Sequence, residues 1–432
     1  MSAAIAFLAF AVLAGAASGA DRGGPVTPEQ VPLAIEHGIG FLLEDQNDDG
    51  SWGGQGDSLT TWSGGIWPNP ETHRAWKVAT TGLCCAALCE VGTSEAAAAS
   101  ADRAVRYLID NADVKRANEW DTMANWAYIY GLQGLAVAYG HPRYADSPLR
   151  TEIAAAVPKY LDRLARGQSI NGGWGYLEFS RPRTRRPQWA TSFMTAAAVV
   201  AMEEAKGQGF QVDQPVIDRA VRVINRCRLP NGGYTYRVRM VPNLHPEYID
   251  QIKGSLSRIA VCQAALLWAG QDVPLDDLRI GLGHFFREHK FLDIAMHKPV
   301  PHEAYYYNSG YFYMFGHYYA SLVIERLPAA ERPSWWPKLQ REIIKIQQKD
   351  GSIWDYDMHR YDRPYGVAFG LMALGRSALD RRSTCRGSVE GEPSEAGPDA
   401  PPTAGRRRAK DVPLPGRAKR CDRRQGSADQ IQ

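Results

Sequence analysis

Apolar residues recur every three or four positions over Leu33–Glu44, Ile153–Ala165, Val216–Asn225 and Trp335–Ile346. That spacing predicts amphipathic helices, each burying one stripe. Each is followed by a second segment in which most positions are small or apolar: Trp76–Val91, Trp189–Ala205, Ser255–Ala269 and Gly366–Leu374. A helix that is apolar all round must be covered on every side. Two further pairs keep the rhythm, Ala101–Ile109 with Thr122–Tyr139, and Leu278–Glu288 with Ser309–Glu325. The first helices begin near residues 33, 101, 152, 216, 275 and 334, steps of about 60 residues that suit a helical-hairpin repeat. An open solenoid would need polar caps at both ends. Uniformly apolar second helices instead predict an all-α architecture, an (α/α)6 toroid over residues 30–376, with an inner barrel wrapped by an outer one.

Four hairpins turn through one signature. Gln46-Asn47-Asp48-Asp49-Gly50-Ser51-Trp52 is the first, and Gln168-Ser169-Ile170-Asn171-Gly172-Gly173-Trp174 the second. Leu229-Pro230-Asn231-Gly232-Gly233-Tyr234 and Gln347-Gln348-Lys349-Asp350-Gly351-Ser352-Ile353-Trp354 follow. Each has Asp or Asn before Gly and an aromatic residue two or three positions after it. The Gly supplies the positive φ that ends a helix or tightens a turn. The aromatic ring is expected to fold back on the preceding helix and staple the turn.

The chain ends read differently from the body. Residues 1–20, MSAAIAFLAFAVLAGAASGA, are apolar and finish with small residues at Ser18 and Ala20. They predict a signal peptide cleaved before Asp21, hence an exported protein, periplasmic or secreted. No later segment is long and apolar enough for a transmembrane span. Residues 381–432 are rich in Pro, Gly, Ser, Glu and Arg, the composition of a disordered tail. Nine basic residues between Arg406 and Arg424 concentrate there, so a net charge of +3 leaves the body near neutral or acidic and points to no nucleic-acid partner. The seven cysteines form no Cys-x-x-Cys pair. Cys84, Cys85, Cys89, Cys227 and Cys262 read as buried thiols, although an exported protein could also pair some of them and the spacing does not say which.

In a ring of hairpins the pocket is the central cavity, and the loops entering the inner helices deliver side chains to one rim. Four such loops combine polar and aromatic residues. Glu119-Trp120-Asp121 leads to Asn125 and Trp126; Arg181 to Trp189 contains Arg185 and Arg186. His297 to His317 contains His302, Tyr307 and Tyr311; Trp354 to Arg363 contains Asp355, Asp357, His359 and Asp362. Asp355 and Asp357 alternate along an extended segment and share a side, so they can share a proton or hold a hard cation. Asp121 can equally cap a helix. The candidate catalytic residues are therefore Asp121, Asp355, Asp357, Arg185 and Arg186. Trp120, Trp126, Trp189, Tyr307, Tyr311 and His317 are the candidate ligand contacts. No His-Glu-x-x-His motif and no pair of His four apart on one helix supports a metal site. The sequence leaves the cofactor unknown. Aromatic walls suit a carbocation or an apolar ring system through their faces, and suit sugar rings by stacking.

Phe41-Leu42 followed by Gln46, Gly50 and Trp52 resembles the QW motif of triterpene cyclases, and the turns at Gln168 and Gln347 are looser copies. The chain resembles prenyltransferase and squalene-oxidase repeat proteins of the terpenoid cyclase/protein prenyltransferase superfamily over residues 30–376. The resemblance implies the toroid, with the glutamine and tryptophan bracing outer helices, and a cavity for an apolar or isoprenoid-like ligand. The family's reactive residues do not follow. The Asp-x-Asp-Asp and Asp-Cys-Thr acids are absent, and Leu256 and Arg258 stand where prenyltransferases place an Asp-x-Cys zinc pair. Two other functions fit the same sequence. One is a polysaccharide lyase, with Arg185 or Arg186 as base and Asp355 and Asp357 on calcium; the other is a non-catalytic binding or scaffold protein. The partner is thus a small-molecule lipid or a polysaccharide.

Overall fold

The computed structural model describes residues 25–27, 29–56, 70–114, 123–177, 186–238, 248–296 and 298–389, with backbone alone for 381–389. Residues 1–20, read above as a signal peptide, and residues 390–432 of the expected tail lie outside them. Thirteen α-helices occur among the described residues, joined by short 3-10 turns and isolated β-bridges, with no strand. None of these helices is long and apolar enough to cross a membrane.

The inner helices are α2 (Pro70–Val91), α4 (Asn125–Gly140), α6 (Ser192–Gly207), α8 (Leu256–Trp268), α11 (Phe312–Ile324) and α13 (Asp362–Val389). The outer ones are α1 (Gln30–Asp45), α3 (Glu95–Asp110), α5 (Pro148–Gly167), α7 (Gln214–Cys227), α9 (Leu275–Arg287), α10 (Lys290–Met296) and α12 (Trp336–Ile344). Burial separates the two sets as the periodicity predicts. All of α11 is buried. In α7 only Val216, Ile217, Ala220, Val221, Val223, Ile224 and Cys227 are, a single stripe. Each inner helix from α2 to α11 packs on the next. α13 closes the ring. Arg376 reaches Glu90 of α2 at 2.9 Å and Glu325, just past α11, at 3.0 Å. α2 and α4 approach most intimately where Gly82 and Gly134 meet; a Cβ on Gly82 would lie 2.0 Å from the Tyr130 carbonyl oxygen.

The glycine–aromatic turns are built as expected. Gly50 and Gly351 have φ of +86° and +83°, and a Cβ on Gly351 would lie 2.1 Å from the His37 carbonyl oxygen of α1. The turn therefore needs glycine for its backbone and for its closeness to the neighbouring outer helix. Gln46 Nε2 donates to Gly50 O within the turn and to Ser100 O of α3, both at 3.0 Å. Gln168 does the same to Gly172 O and to Val216 O of α7, both at 2.8 Å. Gln347 reaches Ala34 O of α1 at 2.9 Å. Each glutamine thus ties one outer helix to another. The indoles of Trp52 and Trp174 donate to Leu42 O and Leu164 O at 2.8 Å, carbonyls in the last turn of α1 and α5 that lack an intrahelical partner. In the fourth turn the expectation is corrected. Ile353, two residues after Gly351, is buried in the tryptophan's place, and Trp354 is only half-buried. Spacing decides which side chain enters the core.

Three other differences concern helix extent. α13 continues to Val389, past the predicted tail boundary at 381. α10 was not predicted, because a seven-residue helix that buries only Leu292 and Ala295 has no legible period. α4 starts at Asn125 rather than Thr122. The five cysteines of the toroid are free buried thiols, as read from the sequence.

Candidate functional site: an aromatic cavity at the inner rim

Successive inner helices run in the same direction, so their N-terminal turns gather at one end of the ring. There they enclose a cavity of about 460 Å³. Trp76 of α2, Trp126 and Tyr130 of α4, Phe193 of α6, Phe312 and Phe315 of α11, and Tyr365 and Phe369 of α13 face it. Within a helix these residues lie three or four apart, which puts them on one face. The rings are mutually packed: Trp126 stacks on Tyr130 at 5.6 Å and 3°, and Phe193 meets Phe312 edge-on at 5.2 Å. The entering loops add Tyr176, Tyr236, Ile249, Pro301, Tyr307, Tyr311 and Met358.

Polar atoms collect around Tyr236. Its backbone N–H donates to the buried Asp250 carboxylate at 2.6 Å, and its hydroxyl lies 2.5 Å from that of Tyr176. His302 Nδ1 faces Tyr307 O at 2.7 Å, so that nitrogen carries the proton and Nε2 accepts from the Tyr311 hydroxyl at 3.0 Å. Burial holds His302 below the ordinary histidine value, aided by the Arg258 charge, so the ring is neutral. Burial also pushes the phenols of Tyr176, Tyr236 and Tyr311 upward, which keeps them protonated. Behind this wall lies Arg258 of α8, 1% exposed. It donates to the carbonyls of Tyr234 and Ile249 and lies 5.5 Å from the Tyr236 ring centre and 5.9 Å from that of Phe312. Burial lowers its affinity for the proton, and the Asp250 charge opposes that.

The sequence-predicted residues divide into three groups. Trp126, Tyr307 and Tyr311 line the cavity. Asp121, Trp120 and Arg185 lie outside the described residues. The rest are elsewhere. Trp189 packs behind the wall on Tyr176, 5.1 Å between ring centres. Arg186 is exposed and off the cavity lining. His317 points away from the cavity, with Nε2 3.1 Å from His289 Nε2 and Nδ1 donating to Tyr313 O at 2.7 Å. It stands two residues from Phe315, a rotation of about 200° around the helix. Asp355 is fully buried behind Tyr365, accepting that hydroxyl at 2.5 Å and the Met314 N–H at 2.8 Å. It caps the first turn of α11. The carboxylate nearest it electrostatically is Asp362, and Asp357 acts on Asp362 in turn. Asp355 thus turns inward to the free amide of a helix start, with both carboxylate oxygens engaged there.

Burial pushes both Asp355 and Asp362 up to about 7. A carboxyl raised in the fold retains a proton that the unfolded chain has lost. Its stabilising contribution is complete below the unfolded value near 4 and is lost as pH rises towards 7. The linkage amounts to at most about 4 kcal/mol per group. These two carboxyls thus favour pH 5 over pH 8, whereas His302 and His317, both lowered by burial, work against them below the unfolded histidine value near 6.5. The stability advantage of the wild type over Asp355→Asn should therefore shrink from pH 5 to pH 8, as urea midpoints across the range would show. A difference that stays constant with pH would remove Asp355 as a source of the dependence.

One other cluster has metal-compatible donors. His289, Asp293 and Glu342 bring ligand atoms within 4.8 Å of one another among α10, α12 and the segment before α10. The Lys345 ammonium already lies against Asp293, at 2.7 Å, and against Glu342. A bound amine thus supplies the positive charge. With the His289 hydrogen bond, this pair holds the Asp293 carboxyl down at about 2 despite its burial.

No family model matches the sequence, and no curated protein matches it. Solved structures do match. An inactive variant of the α-1,6-mannanase GH76A of Salegentibacter sp. HEL1_6, in complex with α-1,6-mannotetrose, superposes with a TM-score of 0.50 at 10% identity, over 81% of this chain and 99% of that one. A possible GH105 family member from Klebsiella pneumoniae gives 0.49 at 12% identity, over 83% and 94%. The apo type II terpene cyclase MstE from Scytonema gives 0.47 at 14% identity, over 82% and 99%. The chain is an α/α toroid, the fold that its glycine–aromatic turns pointed to.

Proposed function

We propose that the toroid binds an apolar, isoprenoid-like small molecule in the aromatic cavity. The lining carries this reading. Leu83, Phe193, Phe312, Phe315 and Phe369 present bare hydrocarbon, and Trp76 and Trp126 add two large, mostly apolar rings; the polar side chains of the lining are Thr80, the tyrosines and the Asp250, Arg237, His302 corner. A volume near 460 Å³ falls in the range of small-molecule pockets, roughly 300–1,000 Å³. A polysaccharide site would need more hydrogen-bonding groups along its walls. Of the two acids proposed for a lyase, Asp355 already has both oxygens engaged, by Tyr365 and Met314.

Titration with geranylgeraniol, followed by the quenching of tryptophan fluorescence, tests the reading. The wild type should saturate. Trp126→Ala should bind at least about tenfold more weakly, because a stacked aromatic wall contributes roughly 1.5–3 kcal/mol of burial. A wild type that never saturates, or a Trp126→Ala variant that binds equally well, would refute it.

A further inference from the structure

A second pocket of about 340 Å³ adjoins the aromatic cavity, and Tyr307 lines both. The segment 248–250 divides in the same way: Ile249 and Asp250 face the cavity, whereas Tyr248 faces the outer pocket. The remaining outer walls include Tyr305, Tyr306, Lys298 and Glu303. Among the described residues, the exposed large apolar side chains include three aromatics, and all three are here. Tyr305 is 71% exposed, Tyr248 61% and Tyr307 49%. Aromatic rings left facing solvent together, at the edge of a cavity, mark a contact surface.

The shelf is held in a demanding shape. Tyr306 and Tyr307 have φ of +60° and +53°, rare for bulky residues. Such backbone persists only where its surroundings fix it, and it concentrates at functional sites. Here Gly254 admits the Tyr306 carbonyl, which would lie 2.6 Å from a Cβ at that position. Asn308 Nδ2 donates to Lys253 O at 2.7 Å, and the Lys253 ammonium lies over the Tyr306 ring. The rings of Tyr248 and Tyr307 meet edge-on at 6.1 Å. Beside them Lys298 and Glu303, 3.8 Å apart and partly exposed, offer donors and acceptors to hydroxyl groups.

We propose that the ligand is a glycosylated apolar lipid, whose sugar ring rests on this tyrosine shelf while its hydrocarbon part fills the cavity. This rests on the apolar-ligand reading of the cavity and extends it. Tyrosine faces suit the C–H faces of a pyranose, and the Lys298–Glu303 pair suits its hydroxyls. Because Tyr307 borders both pockets, a single amphiphile would reach from one to the other past its ring.

The probes are n-dodecyl β-D-glucoside, 1-dodecanol and dodecyl phosphate, each titrated below its micellar concentration and followed by calorimetry. The wild type should bind the glucoside at least tenfold more tightly than the alcohol. Tyr248→Ala with Tyr305→Ala, both at exposed positions, should bring that ratio close to one. Tyr305→Phe, which retains the ring, should preserve it. A ratio of one in the wild type, a ratio unchanged in the double alanine variant, or tighter binding of the phosphate than of the glucoside overturns the sugar assignment alone. If the alcohol itself fails to bind, the cavity reading falls and this inference falls with it.

Discussion

Arg258→Met should lower the free energy of unfolding by about 3–5 kcal/mol, the scale for breaking a buried charge pair. Arg258 sits in the first turn of an inner helix with almost no access to water. Its guanidinium donates to the Tyr234 and Ile249 carbonyls and balances the Asp250 charge. Methionine fills much of the volume but supplies neither donors nor charge. Ile249 O loses the guanidinium donor, at roughly 1–3 kcal/mol for a carbonyl left unsatisfied, whereas Tyr234 O keeps the Ser255 hydroxyl at 3.0 Å. The buried Asp250 also loses the attraction of the Arg258 charge. Arg258→Lys keeps the charge without the planar fork and should recover part of the loss. Urea midpoints with an unchanged slope would measure both. A loss under about 1 kcal/mol for the methionine variant would show that Arg258 is not the brace of this wall.

Trp174→Ala should cost a similar amount, about 3–5 kcal/mol, the range for truncating a buried aromatic. The ring is fully buried between α5 and α6. Its indole N–H satisfies Leu164 O, and its backbone N–H donates to Thr195 Oγ1 of α6 at 3.0 Å. The same hydroxyl returns a hydrogen bond to Thr191 O at 2.6 Å. Alanine keeps the backbone link and loses the rest. Trp174→Phe separates the two parts: it retains most of the packing and loses only the indole hydrogen bond, so about 1–2 kcal/mol is expected. Equal losses in the two variants, measured by chemical denaturation, would place the whole effect in the hydrogen bond and contradict the packing argument.

Those residues show what a single sequence carries. The turns were legible because their chemistry is local. Asp-Gly or Asn-Gly sets the backbone, and an aromatic residue two positions later meets the helix it has just left. Ile353 shows the limit, since the aromatic at Trp354 drew the eye while spacing put isoleucine in the core. The cavity was legible in part. Trp126, Tyr307 and Tyr311 stand out as aromatics beside polar loops, whereas Tyr176 and Tyr236 were missed. A signal for these two existed, because each follows the turn aromatic, Trp174 or Tyr234, by two residues. Asp250 and Arg258 carried no such signal. Their partners lie on another segment or behind an aromatic wall, and nothing local distinguishes a buried arginine from a solvated one. His317 was misassigned because an aromatic helix has two faces, and the period does not say which one looks inward.

The ring closes through Arg376, which joins α13 to α2 across 286 residues of chain. Tyr365 and Phe369 of the same helix complete the cavity wall. Contacts of such sequence separation form late and slow a fold's assembly. A nascent chain emerging from the ribosome therefore carries five inner helices whose apolar faces await a sixth, and it has no finished pocket until translation has passed Phe369. Ligand capture therefore waits for α13, and the incomplete ring is the species that most needs protection from aggregation during synthesis.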